Sequence, residues 1–241
     1  MRSDSANSAS TIRVTRCTDY GPPESHCVDW VAVHRVTIAV RCRAVAARLA
    51  CVGEPSRTTA ELIVECLENE GVTHVFGIPG EENIRLVEAL SRSSIDYVLT
   101  RHEQGASFMA EVYGRLTGRA GVCSATLGPG AINLLLGVAD ATTNSTPLLA
   151  LSAQVGMGRS YKESHQGVDL VSMFAPVTKW SALVATPSSV PEMVRKAFKL
   201  AQTERPGAVY LAIPEDVESA AAPAGAGPLR VNVPRPDDPS A

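Results

Sequence analysis

The sequence predicts an α/β fold, a mostly parallel sheet covered by helices on both faces. Short apolar runs of strand length alternate with amphipathic runs of helix length from residue 58 to residue 213. The segments between them concentrate Gly, Pro and polar residues. That pattern implies βαβ crossovers, which bury both faces of a parallel sheet.

Thr58-Thr59-Ala60-Glu61 places a Ser/Thr-x-x-Glu capping box at the start of a helix whose Leu62, Ile63, Cys66 and Leu67 share one face. Gly71 ends it. A strand is predicted at Val72–Phe76, followed by the loop Gly77-Ile78-Pro79-Gly80 and a helix over Glu81–Leu90 with Ile84, Val87 and Leu90 inward. Ile95–Thr100 reads as a strand and residues from Glu103 to about Leu116 as a helix. Gly121–Thr126 is a strand, Gly128-Pro129-Gly130 a turn and Ala131–Thr143 a helix. Pro147–Ser152 is a strand opening into a polar loop that runs to Asp169. A short helix at Leu170–Phe174, a strand at Lys179–Val184, a helix at Val190–Gln202 and a strand at Val209–Ile213 complete the series.

The flanks read differently. Residues 1–56 hold four of the six cysteines, no Lys and no sustained periodicity, and are expected to be an irregular extension, disordered or upstream of the true start. They lack the early apolar run of a signal peptide. Residues 57–220 form the expected domain, and residues 221–241, rich in Ala, Pro and Gly, an expected linker to a central domain the sequence does not contain. The 241 residues carry a net charge of −3 without a basic cluster, which argues against nucleic-acid binding. No run of about 18 uncharged apolar residues occurs, so a membrane span is not expected. No CxxC pair or Cys/His zinc spacing is present, so no metal ligands are assigned, and Cys66 and Cys123 fit reduced core residues of a cytoplasmic chain.

In a parallel sheet the ligand lies beyond the carboxyl ends of the strands. Four segments fall there: Gly77–Gly80, Arg101–Gly105, Thr126–Asn133 and Gln154–Asp169. Glu103 opens a helix, where the dipole favours a carboxylate. Its functional reading is a carboxyl group placed to exchange a proton with a bound heterocycle. Gly128–Asn133 is a poor dinucleotide fingerprint, because Asn133 stands at the third glycine position and no acidic residue follows about 20 positions on. GxxxxGK[ST], HExxH and GxSxG motifs do not occur.

Phe76-Gly77-Ile78-Pro79-Gly80, Arg101-His102-Glu103-Gln104-Gly105-Ala106 with Met109-Ala110, and Leu127-Gly128-Pro129-Gly130 with Asn133 occur together. In that order and spacing they resemble the amino-terminal, pyrimidine-binding domain of thiamine-diphosphate-dependent enzymes. Ser164-His165-Gln166 with Asp169, Pro176–Trp180, Arg205-Pro206-Gly207 and Pro214–Val217 are similar to acetolactate synthase large subunits. The resemblance covers about Thr58 to Ala220. It implies a three-layer, flavodoxin-like, doubly wound domain. It further implies that the Glu103 carboxyl hydrogen-bonds N1′ of the cofactor's aminopyrimidine, favouring the imino tautomer whose 4′ nitrogen deprotonates thiazolium C2. Gly77, Pro79 and Gly80 would shape the loop near the reacting centre, Thr126, Pro129 and Asn133 would line the pyrimidine pocket, and Gln166 would reach the substrate side.

The implied reaction is decarboxylation of a 2-keto acid such as pyruvate and condensation with a second keto acid. Family members hold the diphosphate through Mg²⁺ in another domain bearing a GDG motif and a later Asn, and this sequence has no GDG. The expectation is therefore binding of the pyrimidine end only, with Mg²⁺ and diphosphate on a partner chain or second copy. FAD, used by some full-length members, finds no support in these residues. The contrasting expectation is a non-catalytic truncated domain or interaction module pairing with a full-length homologue.

Overall fold

The computed structural model describes residues 57–160, 162–203 and 205–229. The expected extension over residues 1–56 and the last residues of the expected linker lie outside them. Among the described residues six strands form one all-parallel sheet: β1 (His74–Gly77), β2 (Asp96–Leu99), β3 (Gly121–Ala125), β4 (Leu148–Gln154), β5 (Trp180–Leu183) and β6 (Ala208–Pro214). Their order is β2-β1-β3-β4-β6-β5. The chain thus winds outward from β1 to β2, crosses back to β3, and continues the other way. The reversal between β1 and β3 is the topological switch point of a flavodoxin-like, doubly wound sheet.

The helices are α1 (Thr59–Asn69), α2 (Ile84–Ser91), α3 (Glu103–Thr117), α4 (Pro129–Thr143), α5 (Leu170–Phe174), α6 (Val190–Gln202) and α7 (Glu215–Ser219). Residue alternation along the strands divides the core into two layers. Val75, Val122, Leu149, Leu151, Val209, Leu211 and Ile213 face α1, α2 and α6. Cys123, Ala125, Leu148, Ala150, Ala208, Tyr210 and Ala212 face α3, α4 and α5. The second face is lined mostly by small side chains and meets Ala106, Ala110, Ala131 and Ala141, so α3 and α4 lie close to the sheet and to each other. Phe174 stacks on Tyr210 at a 3.8 Å centroid distance, and the Tyr210 hydroxyl pairs with Ser152 Oγ at 2.6 Å. All seven residues of β4 and of β6 are buried, which suits central strands covered on both faces.

The capping box of α1 forms as the sequence predicts: Glu61 N–H donates to Thr58 Oγ1 at 3.2 Å and Thr58 N–H donates to Glu61 Oε2 at 2.8 Å. Several ends shift by one or two residues: β1 starts at His74 rather than Val72, α4 at Pro129 rather than Ala131, and β4 runs on to Gln154 rather than Ser152. Two features differ more. Helix α2 begins at Ile84 rather than Glu81 and buries Leu86, Ala89 and Leu90, while Ile84 is half exposed. Its inward face is fixed by docking on α1 and α7. Helix α7 was not anticipated; it inserts Glu218, 1% exposed, so that its carboxylate accepts from Leu86 N–H in the first turn of α2. Burial pushes the Glu218 carboxyl up to about 7, against the lowering effects of that hydrogen bond and of Arg85, with nearby Glu215 adding to the rise. Beyond α7 the chain returns to α1, where Ala222 N–H donates to Arg57 O at 2.7 Å and Asn69 Nδ2 donates to Leu229 O at 2.9 Å.

Candidate functional site

The segments after β1, β2 and β3 converge at the switch point. Glu103 is the first residue of α3, and the turn before it is fixed by its own hydrogen bonds. Thr100 Oγ1 donates to His102 O at 3.1 Å, and His102 Nδ1 accepts from Gln104 N–H at 3.1 Å. The carboxylate therefore emerges at the positive end of a 15-residue helix, half-buried.

Helix α4 starts across from it. Gly128, at φ 54° and ψ −122°, turns the chain out of β3 in a conformation that side chains other than glycine rarely adopt, and Pro129 fills the first helical position. This aims Asn133 at α3, and its Nδ2 donates to Glu103 Oε2 at 3.0 Å. The other oxygen, Oε1, faces the bare Cα of Gly130: a Cβ there would lie 3.5 Å from it. One carboxylate oxygen is held by the protein, and the other looks onto a position kept free of a side chain.

The loop after β1 closes a second side. Asn83, buried, clamps it by accepting from Gly80 N–H at 2.6 Å and donating to Ile78 O at 3.2 Å. Gly80 lies directly on Thr126, so that a Cβ on it would fall 2.5 Å from Thr126 Cβ. Thr126 Oγ1 in turn donates to Glu82 Oε2 at 2.7 Å. Gly77 sits at the end of β1 beside the hydroxyl of Tyr97. Tyr97 Oη and Ser124 Oγ are buried without a hydrogen-bond partner among the described residues, and burial pushes the Tyr97 phenol up to about 12, partly offset by the neighbouring Ser124 hydroxyl. Gln166 belongs to the loop following β4, at φ 56°, and its backbone packs over Gly128 with its side chain exposed.

The structure thus joins Glu103 to Asn133 and stacks Gly80, Thr126 and Gly130 beside them. Pro79, in the loop after β1, and Pro129, at the start of α4, are exposed. Glu82, Asn83, Tyr97 and Ser124 were not singled out from the sequence. Glu82 stands 44 residues from its partner Thr126, with no local pattern to mark the pair. The described residues bring together no group of three or more His, Cys, Asp or Glu side chains able to hold a metal ion. No described helix is long and apolar enough to cross a membrane.

A carboxyl group with one committed oxygen and one open oxygen, at a helix N-terminus beside glycine-lined space, fits a flat nitrogen heterocycle with which it can share a proton. Residues 57–173 match the family described as the thiamine pyrophosphate enzyme, N-terminal TPP binding domain. Residues 57–173 belong to that family. The domain is similar to acetolactate synthase of Bacillus subtilis, with 43% identity over 158 residues, 66% of this chain and 28% of the relative. It is similar to the acetolactate synthase large subunit of Corynebacterium glutamicum, with 44% identity over 168 residues, 69% of this chain and 27% of the relative. A probable 2-ketoarginine decarboxylase of Pseudomonas aeruginosa is 40% identical over 166 residues, 68% of this chain and 30% of that protein. The chain spans less than a third of the length of these relatives. It carries the TPP-binding N-terminal domain of acetolactate-synthase-like enzymes.

Proposed function

We propose that this domain holds the aminopyrimidine end of thiamine diphosphate and that Glu103 activates it, as one portion of an acetolactate-synthase-like carboligase. The observation that carries the reading is the Glu103 carboxylate, with Oε2 held by Asn133 and Oε1 facing the bare Cα of Gly130. Bound there, the cofactor supplies the electron sink for decarboxylating a 2-keto acid such as pyruvate.

The chain's own residues do the rest. Asn133 fixes the carboxylate's orientation, so that the free oxygen needs no reorganisation to meet the ring nitrogen N1′. Glu103 shares or gives a proton at that nitrogen and takes it back, the work of a general acid–base group. Gly77, Pro79 and Gly80 shape the adjoining loop, Thr126 and Pro129 border the ring, and Gln166 lies toward the substrate side. The diphosphate and Mg²⁺ are held by other residues, on a diphosphate-binding partner domain. An apolar stripe on α3, formed by Met109, Val112 and Leu116 at helical spacing, together with Leu136 of α4, is exposed. It supports docking of such a domain or of a second copy beside the site.

Calorimetric titration of the full chain tests the reading with two probes, thiamine and thiamine diphosphate. If only the pyrimidine end is held, the two bind alike. Glu103→Gln then weakens both by about tenfold or more, the loss of a charge-assisted hydrogen bond. Equal affinity in wild type and Glu103→Gln would overturn the assignment.

A further inference from the structure

Thr126 is wedged between two glycines. A Cβ on Gly80 would lie 2.7 Å from Thr126 Oγ1, and one on Gly130 would lie 2.7 Å from Thr126 Cγ2. The β-branched side chain thus lies against two glycines that have no side chain to hold it, and its hydroxyl points to Glu82 Oε2 at 2.7 Å. Thr126 Oγ1 is the donor in this bond, so its proton is committed to Glu82 and Oγ1 keeps only acceptor lone pairs for anything else. The loop holding Glu82 is itself tied down by the neighbouring Asn83 through Gly80 N–H and Ile78 O. Glu82 also borders a cleft of about 380 Å³ against α7, lined by Glu81, Arg85, Glu215 and Asp216 among others, so its side chain lies between that cleft and the Thr126 wedge.

We infer that Glu82 is a positioning residue for the ligand pocket: it locks both the rotamer and the hydrogen-bond polarity of Thr126, making Thr126 Oγ1 an acceptor for ligand N–H donors. The inference rests on the aminopyrimidine reading above and deepens it, because the amino group of that ring is such a donor. Glu82 acts through Thr126 and has no contact with the reacting atoms. The chain Glu82, Thr126, Gly130 then leads to Glu103 Oε1, so the lock also sets how closely the β3–α4 turn approaches the catalytic carboxylate.

The test uses the full chain with ¹³C-labelled threonine. Three-bond couplings to the Thr126 γ2 methyl report its rotamer, and 4-amino-2-methylpyrimidine is the titrated probe. Wild type is expected to show one rotamer and Glu82→Ala an average of several. Glu82→Gln keeps the reach but lets the amide donate as well as accept. It should keep the rotamer and the melting temperature while binding the probe about fivefold more weakly, the scale of one misdirected hydrogen bond. A merely structural Glu82 would not separate affinity from stability in this way. A single Thr126 rotamer in Glu82→Ala, or wild-type affinity in Glu82→Gln, overturns the inference. Should the probe leave the wild-type Asn133 side-chain amide resonance unmoved, the aminopyrimidine reading fails, and the rotamer result in Glu82→Ala still decides whether Glu82 locks Thr126.

Discussion

Glu218 makes the stability of this domain depend on pH in an unusual direction. Its carboxyl is 1% exposed, accepts from Leu86 N–H, and is raised to about 7 from an ordinary value of 4.5. Because the folded pKa lies above the unfolded one, the native state binds more protons than the unfolded state between those two values. Stability is fully present below about pH 4.5 and falls as pH rises toward 7. At 1.36 kcal/mol per unit the fall approaches ~3 kcal/mol. Glu218→Gln keeps an acceptor for Leu86 N–H and removes the ionisation. The variant should match wild type near pH 5 and exceed it at pH 8 by up to ~3 kcal/mol, a rise of roughly 6–12 °C in Tm for a domain of this size. Thermal melts followed by far-ultraviolet circular dichroism at pH 5, 6, 7 and 8 measure this. Tm-against-pH profiles for the two proteins that stay parallel across the range would show that Glu218 does not titrate in this way, since a constant offset contains no ionisation.

Other substitutions probe separate links. Thr58→Ala removes the capping-box acceptor of α1 and should cost about 1 kcal/mol in urea denaturation. Tyr97→Phe deletes a buried hydroxyl with no partner among the described residues and should be neutral or stabilising by up to about 1 kcal/mol, whereas a loss would mean that the hydroxyl is paired in solution. Gly128→Ala forces a side chain into φ 54° and against the Gln166 backbone; it should cost about 1–3 kcal/mol and open the loop after β4 to limited proteolysis. Cys66 and Cys123 are buried with thiols pushed up to about 12 by desolvation, so disulfide reagents should reach them only on unfolding.

What the sequence made legible was local. The capping box at Thr58 and Glu61, the proline and glycine punctuation around α4, and the period of α6 each act within a few residues, and α5 and α6 carry the predicted bounds. On α2 the expected inward residue Leu90 is buried, but Leu86 and Ala89 take the place of Ile84, because docking on α1 and the capture of Leu86 N–H by Glu218, 132 residues away, decide the face. Five-residue α7 is too short to show a period. Strand β4 runs on to Gln154, whose side chain satisfies Val168 O and Val155 N–H and so carries the extended chain into the loop. At the site, Glu103 and Asn133 were both legible through their motifs, but their direct hydrogen bond and the Glu82–Thr126 pair arise only when the ends of three strands meet.

The proton shared between Glu103 and the cofactor ring is the relation on which the proposed function rests. Thiamine diphosphate labelled with ¹⁵N at N1′, added to the full chain, reports it by NMR. The N1′ resonance should move toward its protonated position in wild type and stay at the free-cofactor position in Glu103→Gln. A resonance that is unmoved in wild type, or moved equally in both proteins, would contradict the assignment of Glu103.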